Sequence, residues 1–291
     1  MAFFDMLQHN LAALTATAVI FGLLIGSFLN VVAHRLPVML ERQWQDQCRE
    51  LLAEAPATED KTEPFDLVTP RSRCPACGHQ ITALENIPLL SYLVLRGRCS
   101  DCGTHISWRY PIVELVTGLV SGFLAWHYGW GWELAGSLLF TWTLIPLSLI
   151  DFDTQLLPDN MTLPLLWAGL LFNFNGGFTS LPEAVIGAVA GYLSLCSVYH
   201  LFRLLTGKEG MGYGDFKLLA ACGAWLGWKL LPVIILLSSF VGAIVGILLI
   251  VTLGRDRNIP IPFGPYIAAA GWLALLWGED IVQGYLRFAG L

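Results

Sequence analysis

An uncharged apolar stretch over residues 11–32 is the feature that most limits what this chain can become. At 1.5 Å of rise per helical residue, about 20 such residues cross a hydrocarbon core about 30 Å thick. Comparable runs recur at about residues 111–127, 134–150, 161–174, 184–205, 217–228, 232–253 and 262–278, so the pattern predicts eight membrane-spanning helices. The fourth and sixth are short for that thickness, and are expected to be tilted, irregular or held inside the bundle. Only 13% of the residues are charged and 55% are apolar, against about 25% charged in a soluble domain, which excludes a water-soluble globule. A net charge of −6 excludes a basic nucleic-acid binder, and no nucleic-acid partner is expected. The first span reads as retained: residues 1–10 include Asp5 and no Lys or Arg, unlike a cleaved signal.

The charges divide the chain. Residues 33–109 hold nine Lys/Arg and ten Asp/Glu, half of all formal charges, and must be wet. The sequence therefore predicts an all-α polytopic membrane protein with a first transmembrane helix within 1–32. A hydrated domain occupies 33–109, inserted between the first and second spans, and a helical bundle occupies 110–291. Within the hydrated stretch, Leu40, Trp44, Cys48 and Leu51 recur at helical spacing and predict an amphipathic helix over 38–52. Residues 55–70, rich in proline and acids, read as a flexible connector.

Eight crossings put both termini on one face, and basic residues choose which. With the termini outside, the inner loops hold the nine basic residues of 33–109 plus Arg203, Lys208, Lys217, Arg255 and Arg257, against Lys229 and Arg287 outside. The hydrated domain is then cytoplasmic. The loops at 151–160 and 206–216 fall on the same face, so a site made from them would work at the inner membrane surface.

Four of seven cysteines form two pairs, Cys74-Pro-Ala-Cys77-Gly and Cys99-Ser-Asp-Cys102-Gly. Each pair has the C-x-x-C spacing in which a tight turn aims two thiolates at one ion, and the following glycine permits the turn. The spacing also suits two disulfides or idle thiols, but a cytoplasmic address makes stable disulfides rare. A structural Zn²⁺ held by Cys74, Cys77, Cys99 and Cys102 is expected, with no open position for catalysis. His79 and His105 read as neighbouring surface histidines. Cys196 and Cys222 read as packing residues, and Cys48 is left over.

Acids also stand where apolar helices meet the cytoplasm. One group is Asp151-Phe152-Asp153 running on to Leu157-Pro158-Asp159; the other is Gly210-Met211-Gly212-Tyr213-Gly214-Asp215. A lone acid at a span end is often only a solvated terminus. Asp215 departs from that because three glycines in five residues let its backbone approach another segment closely. Asp151, directly after an uncharged run, supplies a partner at the same depth. Two carboxylates brought close share a proton, so one can act as base toward water while the other polarises a carbonyl. Asp153 competes for this role, and Asp159 reads as a helix N-cap.

With these residues in view, the chain resembles the type IV prepilin peptidases, membrane aspartic proteases with a Gly-x-Gly-Asp motif. The resemblance rests on Gly26-Ser27-Phe28-Leu29-Asn30-Val31-Val32, Arg35-Leu36-Pro37, both cysteine pairs, Arg109-Tyr110-Pro111-Ile112-Val113-Glu114, Asp151 with Leu157-Pro158-Asp159, and Gly212-Tyr213-Gly214-Asp215. It implies Asp151 and Asp215 as the catalytic pair, and type IV prepilins or type II secretion pseudopilins as substrates. It further implies cleavage after a leader glycine at the cytoplasmic face of a bacterial inner membrane, in agreement with the topology above, which puts both termini on the periplasmic side. Cysteine-bearing members also methylate the new N-terminal residue, typically Phe, with S-adenosylmethionine; residues binding that donor are not evident. Glu114 is a contributor to binding a positive group or simply an acid near a helix start. The rival from another class is a proton- or cation-coupled transporter, disfavoured because acids gathered at one face make no path through the middle.

Overall fold

The computed structural model describes residues 2–52, 65–208, 210–253 and 261–290, with the side chains of all of these except 2, 3 and 253. Most of the connector expected over 55–70, and the basic residues Arg255 and Arg257, lie outside the described residues. The described chain is helical: α1 Ala2–His9, α2 Leu11–Leu51, α3 Leu90–Val94, α4 Arg109–Tyr128, α5 Trp132–Thr154, α6 Asp159–Phe174, α7 Leu181–Thr206, α8 Tyr213–Leu226, α9 Leu231–Leu253 and α10 Gly264–Ala289. It forms two compact units, Met1–Leu134 and Ala135–Leu291.

Among the described residues, four helical segments are long and apolar enough to cross a membrane: α2, α5, α7, and α9 with the 3₁₀ turn before it. The other four predicted runs coincide with α4, α6, α8 and α10. Of these, α6 has 16 residues and α8 only 14, about 24 and 21 Å of helix.

In the first unit, α2 is one 41-residue helix running through Pro37, so the first apolar run and the amphipathic segment at 38–52 are continuous. The arriving charges and Pro37 suggest a break in sequence, but the helix carries on past both. α2 packs against α4 through small residues. A Cβ added at Gly22 would lie 2.5 Å from Ser121 Oγ, one at Gly26 2.8 Å from Glu114 Cα, and one at Gly122 2.4 Å from Val19 Cγ2. Lipid removes the hydrophobic drive between helices, so close backbone approach of this kind holds them together.

The second unit is organised around α8, whose residues from Asp215 to Leu226 are buried apart from Lys217. Gly187 on α7 and Gly223 on α8 meet backbone to backbone: a Cβ at Gly187 would lie 2.3 Å from the Gly223 carbonyl oxygen, and one at Gly223 2.2 Å from that of Gly187. At the far end of α8, Asn173 Nδ2 donates to the carbonyls of Ala224 (2.8 Å) and Trp225 (2.9 Å). The Trp225 indole N–H donates to the Leu165 carbonyl at 2.8 Å. These bonds satisfy carbonyls and an N–H that have no water to turn to. A short helix is thus fixed in place by its neighbours, and its Asp215 end is fixed with it.

Candidate functional site

In the second unit four segments converge. α5 carries Asp151 one turn before its end, where Gln155 adopts a left-handed φ of +56° and turns the chain out of the helix. The chain then passes through buried Leu157 and Pro158 into α6. α8 presents Asp215 in its first turn. The fourth segment is the start of α10.

Asp151 and Asp215 are both buried, at 4% and 6% exposure, and lie near enough for their charges to interact. Leu157 explains how the segments meet. A Cβ added at Gly214 would lie 2.7 Å from Leu157 Cβ, and one at Gly264 3.1 Å from Leu157 Cδ1. A single leucine therefore packs on the glycine beside Asp215 and on the glycine that touches Asp151. The backbone N–H of Gly264 donates to Asp151 Oδ2 at 2.9 Å. Of the Gly-x-Gly-Asp motif, Gly214 is the position where close approach is needed; Gly212 precedes α8 with an ordinary φ of −84°.

The competing acids are placed differently. Asp153 is exposed. Asp159 does not cap α6, whose cap position is Pro158; instead its Oδ1 and Oδ2 accept from Lys217 Nζ at 2.6 and 2.7 Å. This ion pair ties the start of α6 to the first turns of α8. The contacts of Lys217 and Leu157, and the place of Gly264, are not foreseen from the sequence. Gly264-Pro265 does read as a helix start, but nothing in it points to an acid over a hundred residues earlier.

In the first unit the four cysteines gather as predicted. The sulfurs of Cys74, Cys77, Cys99 and Cys102 lie within 4.8 Å of one another, with Cys74–Cys102 at 3.8 Å and Cys77–Cys99 at 3.9 Å. Four thiolates at about 2.3 Å from a tetrahedral zinc would stand about 3.8 Å apart, whereas a disulfide needs about 2.05 Å. The donor set fits zinc. Two matching knuckles build it: Cys74 N–H donates to His79 O and Gly78 N–H to Cys74 O, while Cys99 N–H donates to Thr104 O and Gly103 N–H to Cys99 O. Gly78 and Gly103 sit at φ +75° and +71°, the left-handed turn that the glycines were expected to permit. The hydroxyl and amide of Thr104 pull the Cys102 thiol down to about 6, while burial and the neighbouring sulfurs push that of Cys77 up to about 12, as expected when crowded thiols lose their protons one at a time.

Glu85 braces the two knuckles. It accepts from the Ser100 hydroxyl of the second, and from the Thr82 amide and hydroxyl, both at 2.8 Å, just after the first. Those donors, Ser100 foremost, hold its carboxyl down at about 2. His79 lies 3.4 Å from Glu85, and neither His79 nor His105 joins the sulfur cluster. Glu114 accepts the Leu89 N–H at 2.9 Å, where Leu89 has a φ of +59°, so at least one of its oxygens is engaged by the backbone. Buried Arg35 donates to the carbonyls of Asp66 (2.9 Å) and Pro70 (2.6 Å), fastening α2 to the approach to the knuckles.

Fold and sites together define a helical membrane protein with a buried aspartate pair in one unit and a tetrathiolate centre in the other. Comparison with known families and proteins makes this specific. The bacterial peptidase A24 N-terminal domain matches residues 20–128, and the type IV leader peptidase family matches residues 138–247. The prepilin leader peptidase/N-methyltransferase of Stutzerimonas stutzeri is 58% identical over 287 residues, covering 99% of both chains. Proteins of the same name from Pseudomonas aeruginosa and Aeromonas hydrophila are 56% and 60% identical, over 100% and 96% of this chain and 99% and 97% of theirs. The chain belongs to the type IV leader peptidase family. No solved structure matches it.

Proposed function

We propose that this protein cleaves the leader peptides of type IV prepilins and type II secretion pseudopilins with an Asp151–Asp215 dyad, and then N-methylates the residue exposed. The observation that carries the reading is the burial of these two acids beside two glycines that pack on one leucine, in a chain nearly co-extensive with relatives named for both activities. Two neighbouring carboxylates share one proton. The ionised member takes a proton from water as the oxygen attacks the scissile carbonyl, and the protonated member donates to the carbonyl oxygen. As the tetrahedral diol collapses, the member that took the proton from water delivers it to the departing amine, and a diol hydroxyl returns a proton to the other member.

The eight apolar runs are taken as eight crossings, with both termini periplasmic and the cysteine domain cytoplasmic by the basic-residue asymmetry. α6 and α8 then cross as short helices inside the bundle. A substrate with a basic leader and an apolar helix already in lipid would meet the dyad at the inner interface. Zinc on Cys74, Cys77, Cys99 and Cys102 has a closed shell and supplies folding energy rather than a reacting ligand. As donor, S-adenosylmethionine would supply a methyl group to the deprotonated terminal amine, its sulfonium sulfur leaving as the neutral thioether.

Mass spectrometry of a pilin N-terminus, with and without this protein, tests both activities. The expected product ends at the residue after the leader glycine and is heavier by one methyl group. An uncut precursor in the presence of folded protein overturns the protease reading, and an ion flux abolished by either aspartate variant would favour a transporter. Cutting without added methyl mass retires the second activity alone.

The contact of Leu157 with Gly214 gives a sharper test. Gly214→Ala is expected to slow cleavage at least tenfold, since a Cβ 2.7 Å from Leu157 Cβ must push the two segments apart. Adding Leu157→Gly removes that Cβ and makes room. Cleavage by the double variant, measured per folded molecule, should recover part of the loss.

A further inference from the structure

We infer that Gly264 is a positioning residue for the peptidase reaction: its backbone N–H anchors Oδ2 of Asp151, leaving Oδ1 as the oxygen that meets water or substrate. The inference rests on the aspartyl-dyad reading and deepens it. Gly264 opens α10, so its N–H is one of the first-turn donors with no partner inside the helix, and the Asp151 carboxylate supplies that partner at 2.9 Å. Pro265 follows and has no N–H, so no adjacent donor competes for the carboxylate. The helix start also favours negative charge at that point.

Sterics make the position specific to glycine. A Cβ at Gly264 would lie 2.7 Å from Asp151 Oδ2, 3.2 Å from its Cγ and 3.1 Å from Leu157 Cδ1. No φ in the left-handed range is involved; the requirement is space beside the carboxylate. Any side chain there turns the acid away from the amide and presses on the leucine that also bears on Gly214. One backbone atom from a segment 113 residues distant thus sets the rotamer of an acid whose orientation the mechanism depends on.

The test is steady-state cleavage of a prepilin by Gly264→Ala in the full-length protein, with the fraction folded read from thermal unfolding. Gly271→Ala serves as the comparison: it lies on the same helix and its Cβ would also fall under 3.0 Å from a side chain, 2.9 Å from Cys222 Sγ, but no acid is among its near neighbours. Misplacing a reacting group by about 1 Å costs about a hundredfold. Gly264→Ala is therefore expected to lower kcat per folded molecule by about that factor with KM within about twofold. Gly271→Ala should lose activity only in proportion to folding. Wild-type kcat in Gly264→Ala, a loss proportional to unfolding as in Gly271→Ala, or a loss carried by KM would each overturn the inference. An inactive wild-type enzyme, or an active Asp151→Asn variant, would overturn the dyad reading itself.

Discussion

Asp151→Asn and Asp215→Asn are each expected to lower prepilin cleavage by about a hundredfold to ten-thousandfold while the protein stays inserted and folded. The substitution is nearly isosteric. Asparagine keeps an oxygen that can accept the Gly264 N–H, and the contacts of Leu157 with the two glycines are untouched. What is lost is the shared proton: an amide neither accepts a proton from water nor donates one as an acid. Because the two carboxylates act as a unit, the double variant should be little worse than either single one. Initial rates per folded molecule, with thermal unfolding as the control, measure this. A single variant keeping more than about a tenth of the wild-type rate would remove that acid from the reaction. Strict additivity in the double variant would show that the two act separately.

Much of this arrangement was legible from sequence, for a physical reason. Acids are costly in an apolar chain, so Asp151 and Asp215 stand out against uncharged runs, and C-x-x-C-Gly admits few alternative geometries. What could not be read were contacts made by backbone and by small apolar residues. The Gly264 amide has no side chain to announce it, and Leu157 looks like any other leucine. Asp159 illustrates the opposite error. Its place before a helix reads as a cap, yet Lys217, 58 residues on, offers a stronger charge-assisted bond than a local amide. The continuity of α2 through Pro37 was hidden likewise, since composition changes there while the backbone does not.

The metal centre should respond to damage as a local fold rather than as a reacting group. Cys74→Ser or Cys102→Ser replaces a thiolate with a hydroxyl that stays protonated near neutral pH, so the set falls to three good ligands. Zinc sites of this kind supply about 10 to 16 kcal/mol of apparent binding energy to small folds. Beyond backbone turns, the described residues between Asp66 and Trp108 have a five-residue helix, two isolated β-bridges, the Glu85 bonds, the Tyr92 hydroxyl on the Ile106 carbonyl, and ties to Arg35 and Glu114, with no buried apolar core among them. Either substitution is therefore expected to drop bound zinc from about one per chain to well below that, and to speed amide exchange across residues 72–106. Exchange in α8, whose burial comes from α5, α6, α7 and α10 and whose carbonyl caps come from Asn173 of α6, should stay slow. Metal analysis and hydrogen exchange on the same samples read both effects. Wild-type protein without zinc, or knuckles equally protected after stripping with a chelator, would leave the four sulfurs as a cluster without structural work. If exchange in α8 rises along with that of the knuckles, the second unit draws its stability from the metal centre as well.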